Sequence, residues 1–247
     1  MFHTISTGLL LILAGIAVQA ATVSGIVKFT GEQPPAKILS EILANSFCKE
    51  HCGGNPPSSD KFVLGTNGTN AVVANVLVYV SKGLEGEKFA TPKEPVIINQ
   101  INCIYVPHVS AAMTGQKIEI RNSDETLHNV MTRPRENPGF NEGMAGTGKK
   151  LTKVFEKPEL GIDLRCFMHP WMLGYVHVLD HPYFSVTTTN GVFEIKNLPP
   201  GKYDISVKHE WSRFEVEPIT QSVTISGDTD TRKMDFIYHL RSERTNF

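Results

Sequence analysis

A thiol, an imidazole and a thioether are evenly spaced in the second half of the sequence. Cys166, His169 and Met172 form the pattern C-x-x-H-x-x-M, so each side chain is three residues from the next. A short loop can aim all three at one point, and the strand-like run that follows can anchor this loop. Soft sulfur ligands together with imidazole favour copper, whereas thioether is not among the usual ligands of zinc. The pattern therefore predicts a copper site.

Such a site needs a second imidazole, and His128 is the candidate. The run 118–121 alternates apolar and charged residues, as a half-buried strand does, and it leads into a polar turn before His128. In a β-sandwich this turn can lie at the same end as the loop that carries the thiol. One thiolate, two imidazoles and a weak axial thioether describe a mononuclear electron-transfer copper site. The predicted metal ligands are therefore His128, Cys166, His169 and Met172.

The two motifs together resemble one branch of a known family of copper proteins. The pattern N-x-D-x-x-x-H-N-V spans 122–130, and C-x-x-H-P-x-M-x-G-x-V-x-V spans 166–178. They are similar to the plastocyanin and amicyanin branch of the cupredoxins, which are blue (type 1) copper proteins. The segment 22–110 is longer than a minimal cupredoxin needs, and a long connection runs from 133 to 150.

The resemblance implies a role for each residue of the site. His128 and His169 are expected as equatorial nitrogen ligands, Cys166 as the thiolate and Met172 as the long axial ligand. Asn129 is expected to join the two ligand loops by hydrogen bonds, and such outer contacts orient metal ligands. The implied function is one-electron transfer rather than enzymatic catalysis, because this ligand set suits both Cu(I) and Cu(II).

Strand-like runs dominate the chain after residue 20. Runs such as 23–29, 72–80 and 175–179 are rich in Val, Ile, Tyr and Thr, and clusters of Gly, Pro, Asn and Asp separate them. Only 36–48 has a helical rhythm of apolar residues. We therefore predict an all-β fold with a cupredoxin-like Greek-key β-sandwich.

A smaller module is expected after residue 181. The pattern G-x-F-x-I…L-P-x-G-x-Y begins at a hairpin signal, Asn190-Gly191. It resembles the transthyretin-like fold of carboxypeptidase regulatory-like domains, a fold that says almost nothing about function. The predicted organisation is a cupredoxin-like domain with an N-terminal extension over 21–181, a transthyretin-like β module over 182–240 and a tail over 241–247.

The N-terminus is expected to be a signal peptide over 1–20. The apolar run 8–18 is too short for a membrane span, and Val-Gln-Ala at its end resembles a cleavage site, although no Lys or Arg precedes the run, only His3. We therefore expect an exported protein, periplasmic or extracellular, with no membrane span in the mature chain. Thiols tend to pair in such compartments, so Cys103 is expected to form a disulfide with Cys48 or Cys52.

Charge and the ligand loop indicate the kind of partner. A net charge of −1 gives no reason to expect nucleic-acid binding. Pro170 and Trp171 flank His169 and are expected to form an apolar patch on which a redox donor or acceptor protein docks. His177 is out of phase with its apolar neighbours and is expected to be exposed. Two other functions remain open: copper storage or delivery, and a cell-surface scaffold in which the copper site is structural.

Overall fold

The structure is a computed structural model that describes residues 21–33, 35–210 and 220–239. The predicted signal peptide and the predicted tail lie outside the described residues. In chain order, the first ten strands are β1 (Thr22–Thr30), β2 (Leu64–Asn67), β3 (Asn70–Val73), β4 (Leu77–Lys82), β5 (Val96–Ile101), β6 (Ile104–Val106), β7 (Val109–Met113), β8 (Lys117–Asn122), β9 (Leu127–Thr132) and β10 (Phe140–Ala145).

The later strands continue the same pattern of short segments. They are β11 (Lys150–Val154), β12 (Glu159–Arg165), β13 (Leu173–Leu179), β14 (Phe184–Val186), β15 (Val192–Lys196), β16 (Gly201–Lys208), β17 (Thr220–Ile225), β18 (Thr231–Lys233) and β19 (Phe236–His239). A 3-10 helix (Ser40–Ala44) and a short helix α1 (Ser46–His51) lie between β1 and β2. Within the described residues, no helix is long and apolar enough to cross a membrane.

Two sheets enclose the core that carries the predicted ligands, and we call them the site sandwich. One sheet has the strand order β10-β9-β12-β13-β7, and the other has the order β11-β8-β5-β6. Apolar side chains of both sheets share one buried cluster, to which Ile98, Ile120, Leu164 and Val176 belong. Burial of such surface is the main favourable contribution to folding. The predicted all-β sandwich is confirmed.

Strand β8 shows how the sequence pattern creates this core. Ile118 and Ile120 are both 1% exposed, whereas their neighbours Lys117 and Glu119 are less buried. Successive side chains of a strand point to opposite faces, so the alternation places one face of β8 inside the sandwich.

The remaining strands form a second sandwich around a core of their own. Its sheets have the orders β15-β1-β3-β2, with β18 and β19 also paired to β1, and β14-β4-β16-β17. Val27, Val78, Phe193, Ile205 and Phe236 belong to its buried cluster. The first strand is central here, since it pairs antiparallel with β15 and parallel with β19.

The second sandwich draws strands from both ends of the described chain, which differs from the predicted division at residue 181. The predicted module over 182–240 supplies β14 to β19, but β1 to β4 belong to the same sheets. The predicted domain over 21–181 is therefore shared between two cores. The physical reason is that an apolar pattern predicts a strand without specifying its partner, and here Val23 pairs with Ile195.

A short helical segment over 40–52, which we call the cap, packs against the site sandwich. The predicted helix over 36–48 is thus shorter and divided into the 3-10 helix and α1. Asn45 caps α1, because its side chain accepts a hydrogen bond from the Cys48 N–H at 3.0 Å. A disulfide joins Cys48 to Cys103, whereas Cys52 is free. Of the two pairings expected for Cys103, the structure contains the one with Cys48.

Candidate metal centre

Three predicted ligand atoms converge at one end of the site sandwich. His128 lies on β9, and Cys166 and His169 lie on the loop between β12 and β13. The Cys166 Sγ is 3.9 Å from His128 Nδ1 and 3.7 Å from His169 Nδ1, and the two Nδ1 atoms are 2.8 Å apart. The exposed fractions of the three residues are 0%, 2% and 2% for His128, Cys166 and His169. A thiol and two imidazoles that meet in this way fit one copper ion.

The thioether of Met172 is buried on the same loop. The residue is 1% exposed and belongs to the same hydrophobic cluster as Cys166, and its backbone N–H donates to the His169 carbonyl at 2.8 Å. Gly174, two residues after Met172, lets β13 approach β6 closely. Any side chain at this position would place its Cβ 3.1 Å from the Cβ of Tyr105 on β6. The position of Met172 is compatible with a ligand, and its axial role stays a prediction.

Asn129 connects the two segments that carry the ligands. Its side-chain Oδ1 accepts a hydrogen bond from the Phe167 N–H at 2.6 Å, and its backbone N lies 3.5 Å from the Cys166 Sγ. Its Nδ2 donates to the Oδ1 of Asn141 on the neighbouring strand β10 at 2.6 Å. One side chain thus links β9, β10 and the ligand loop, which fixes the distance between His128 and the thiol.

The environment of Cys166 favours the thiolate. Burial alone would raise the pKa of this thiol, but hydrogen bonds from His128 and His169 and from the backbone N–H groups of Asn129 and His169 lower it to about 6. The thiolate is the form that binds metal. The site therefore presents the sulfur in a metal-binding state near neutral pH.

A buried carboxylate lies behind His128. Asp124 is 3% exposed, and its Oδ2 is 2.9 Å from His128 Nε2, the ring nitrogen that faces away from Cys166. Burial lowers the pKa of His128, but the contacts with Asp124 and Cys166 outweigh burial and raise it. Burial likewise raises the pKa of Asp124, and the hydrogen bonds from His128 and from two backbone N–H groups lower it overall. The pair is therefore a charge-assisted contact that orients the ring.

The outer edge of His169 is covered by the cap. The Nδ2 of Asn45 lies 3.1 Å from His169 Nε2, and the ring of Trp171 packs 5.1 Å from the imidazole ring. The Trp171 indole N–H donates to the Cys103 carbonyl at 3.0 Å. The side chains of Asn45 and Trp171 therefore shield His169 from solvent.

The exposed part of the ligand loop differs from the predicted docking patch. Pro170 is exposed, as a docking residue should be, but Trp171 is half-buried and packs against the core of the site sandwich. The two residues after the thiol are much more exposed, at 58% for Phe167 and 54% for Met168. The apolar surface beside the site is therefore formed by Phe167, Met168 and Pro170.

His177 is buried, contrary to the prediction that it would be exposed. It is 0% exposed on β13, and its Nε2 lies 3.0 Å from the Oε1 of Glu210. Glu210 follows β16 of the second sandwich. The prediction was wrong because the strand alternation identified the outer face of β13, but not the second sandwich that covers this face.

Sequence reasoning assigned no role to two residues that contact the ligands. Asp124 is part of the motif N-x-D-x-x-x-H and stands four residues before His128, a spacing that could have indicated a contact across the turn. Asn45 lies outside both motifs, in the run 36–48 for which the sequence indicated only a helical rhythm. Its contact with His169 joins residues that are 124 positions apart, so it could not be predicted from the sequence.

Comparisons with known proteins gave weak structural likenesses and no sequence match. No family model and no curated protein sequence matches the chain. Among solved structures, a copper-containing nitrite reductase from Thermus scotoductus SA-01 is similar, with a TM-score of 0.34 and 20% identity, over 41% of this chain and 26% of that chain. The chain thus matches about a quarter of the length of that reductase.

Two smaller copper proteins are also similar. A purple cupredoxin from Nitrosopumilus maritimus gives a TM-score of 0.30 and 23% identity, over 34% of this chain and 98% of that chain. A Cu(I) form of an amicyanin variant gives a TM-score of 0.32 and 15% identity, over 42% of this chain and 98% of that chain. At these TM-scores the likenesses carry no argument about the site. The assignment of the site therefore depends on its side chains.

Proposed function

We propose that this protein is a blue (type 1) copper protein that carries single electrons between redox proteins. The observation that carries the proposal is the convergence of the Cys166 Sγ with the Nδ1 atoms of His128 and His169, all three of them buried. Sulfur and imidazole in this combination suit copper in an electron-transfer site. Met172 is proposed as the weak axial ligand.

Copper bound by these residues would supply a one-electron couple between Cu(I) and Cu(II). The chain's own contribution is to hold the ligands in one arrangement in both oxidation states. Asn129 ties the thiol loop to β9, Asp124 orients His128, and the cap covers His169. A site that rearranges little when its charge changes transfers electrons readily, which is the use we propose for this one.

The burial of the ligands supports electron transfer over catalysis or copper delivery. All three ligand side chains that converge are at most 2% exposed. A small substrate would need an open coordination position, as catalytic metal sites have, and a delivery protein must surrender its metal to a partner. An electron can cross a short stretch of protein without either.

The exposed surface of the ligand loop is the proposed docking site for the redox donor or acceptor. Phe167 directly follows the thiol in sequence, and Met168 and Pro170 flank His169. Exposed apolar patches often mark contact sites with other proteins. We propose that a partner covers Phe167 and Met168 and exchanges electrons through the Cys166 side of the site, since the cap closes the outer edge of His169.

An exported location is part of the proposal. The predicted signal peptide and the Cys48–Cys103 disulfide both favour an oxidising compartment, because disulfides persist there and are rare in the cytosol.

The experiment that tests the proposal is the visible spectrum of copper-loaded protein, compared with two cysteine variants. The unmodified protein should show an intense visible band, because a copper–thiolate bond gives one. Cys166→Ser should abolish it. Cys52→Ser is the matched control, since Cys52 is the other free cysteine of the described residues and lies outside the ligand cluster, and it should retain the band.

Two results would overturn the proposal. One is a colourless copper-loaded protein, and the other is an unchanged spectrum in Cys166→Ser. Rapid transfer of copper to a mild chelator would instead favour storage or delivery, and failure to bind copper would favour a scaffold.

A further inference from the structure

We propose that Asp124 is a positioning residue that holds His128 and lowers the reduction potential of the copper site, and that the Cys48–Cys103 disulfide supports it. This inference depends on the function proposed above. The sequence motifs assign no role to this carboxylate.

The carboxylate of Asp124 is fully engaged by its surroundings. Its Oδ2 faces His128 Nε2 at 2.9 Å and also accepts a hydrogen bond from the Cys103 N–H at 2.9 Å. Its Oδ1 accepts from the Asn102 N–H at 2.7 Å, and its own N–H donates to the Asn122 Oδ1 at 2.9 Å. With 3% exposure, the group has little freedom to turn away from the imidazole.

The two N–H groups that hold Asp124 come from a turn with an unusual backbone. Asn102 and Cys103 have φ values of +54° and +59°, in the left-handed region that residues other than glycine seldom adopt. This conformation aims two successive N–H groups at the carboxylate, an arrangement that binds anions. The disulfide anchors the turn from one side, and the hydrogen bond from Trp171 to the Cys103 carbonyl anchors it from the ligand loop.

The consequence for copper follows from the charge on Asp124. A carboxylate that accepts the N–H of a ligand histidine fixes the ring and makes it a more basic donor. A more basic donor stabilises Cu(II) more than Cu(I), so the reduction potential is lower with Asp124 than without it. The effect should be appreciable because electrostatic contacts are stronger in a buried environment than in water.

Direct metal binding by Asp124 is a poorer explanation of the same geometry. Atoms of Cys103, Asp124 and His128 do lie within 4.8 Å of one another. However, the Cys103 sulfur is held in the disulfide, and the carboxylate faces the ring nitrogen on the side away from the Cys166 thiol. Asp124 therefore acts through His128.

The test is the reduction potential of the copper-loaded protein with Asp124→Asn, measured by voltammetry. The variant keeps the size of the side chain and removes its charge, so copper should still bind and the colour should remain. The ratio of Cu(II) to Cu(I) affinity should fall by about tenfold, which is a rise of about 59 mV for a one-electron couple. Glu142→Gln is the control, because it removes one surface carboxylate from the adjacent strand β10, and its potential should not change.

A second test of the proposal replaces the disulfide. Cys48→Ser with Cys103→Ser should raise the potential in the same direction but by less than Asp124→Asn, because the turn loosens while the carboxylate remains. Cys52→Ser is the control and should leave the potential unchanged. A double variant with the potential of the unmodified protein would remove the disulfide from the proposal.

The outcomes separate this inference from the proposed function. A colourless unmodified protein overturns the function, whereas a coloured protein whose potential is the same with Asp124→Asn overturns only the role of Asp124. Should Asp124→Asn fail to fold, proton NMR of the unmodified Cu(I) protein decides. The His128 Nε2–H should give a slowly exchanging, downfield signal, and a rapidly exchanging one would overturn the contact.

Discussion

The two sandwiches of this molecule differ in what their cores contain. The buried cluster of the site sandwich includes Cys48, Cys103, Cys166, Met144 and Met172. The cluster of the second sandwich is built from aliphatic and aromatic residues with one methionine, Met234, and among those described includes no cysteine. The cysteines and the proposed ligand histidines are therefore concentrated in one core.

The stability of the fold and the chemistry of the copper site are therefore separable in this molecule. The site sandwich buries His128, Asp124 and His169 and satisfies them with one another and with the cap. Buried polar groups are costly without such partners. The second sandwich instead joins the two ends of the described chain through β1. Changes in its core should alter unfolding without altering the copper site.

The largest expected effect is the loss of a buried ring in the second sandwich. Phe236 is 0% exposed and packs 5.9 Å from the Phe193 ring. Phe236→Ala should destabilise the protein by about 3–5 kcal/mol, because it leaves a cavity, while the visible band of the folded protein stays the same. Denaturant unfolding measures this. The control is Ile237→Ala on the same strand, where the side chain is 42% exposed, and a shifted visible band with Phe236→Ala would show that the two cores are not independent.

A smaller effect is expected from a buried histidine at the edge of the second sandwich. His209 is 9% exposed beside the rings of Phe62 and Tyr238. Burial lowers its pKa from 6.5 to about 4, despite the nearby Glu210 carboxylate. Between these two pH values the unfolded chain binds a proton that the folded protein does not, so stability falls as the pH falls from 6.5 to 4.

Replacing His209 should remove its contribution to the loss of stability at low pH. The lowered pKa of His209 corresponds to about 3 kcal/mol of stability at most. With His209→Phe, the difference in unfolding free energy between pH values of about 7 and 4 should shrink by up to this amount, and urea unfolding at both pH values checks it. His51→Gln, at an exposed position on α1, is the control. An undiminished pH dependence with His209→Phe would mean that other groups cause the acid sensitivity.

The smallest of these effects concerns Met172 in the site sandwich. Met172→Gln places a harder oxygen donor at a similar length, so copper should still bind and the protein should stay coloured. The potential should fall, because oxygen favours Cu(II) more than a thioether does, and a preference of roughly 1.4 kcal/mol corresponds to about 59 mV for one electron. Voltammetry measures the change. An identical potential would mean that Met172 only packs in the core, and Met168 would be the next thioether to replace.

The sequence predicted the local features of the molecule better than the distant ones. The motif C-x-x-H-x-x-M and His128 could be assigned because each lies in a short stretch whose spacing limits the geometry. The pairing of β1 with β15, the covering of His177 and the contact of Asn45 with His169 could not be predicted in the same way. Each joins segments far apart in the chain, and the pattern of one segment carries no information about which partner it meets.

The most direct test of the central claim is voltammetry of the copper-loaded protein, with the copper content measured in both oxidation states. A site that transfers electrons should give a reversible one-electron wave and keep its copper through repeated reduction and oxidation, since Cys166, His128 and His169 are buried together in one arrangement. An irreversible wave, or loss of copper on reduction, would contradict the claim that this site is built to carry electrons.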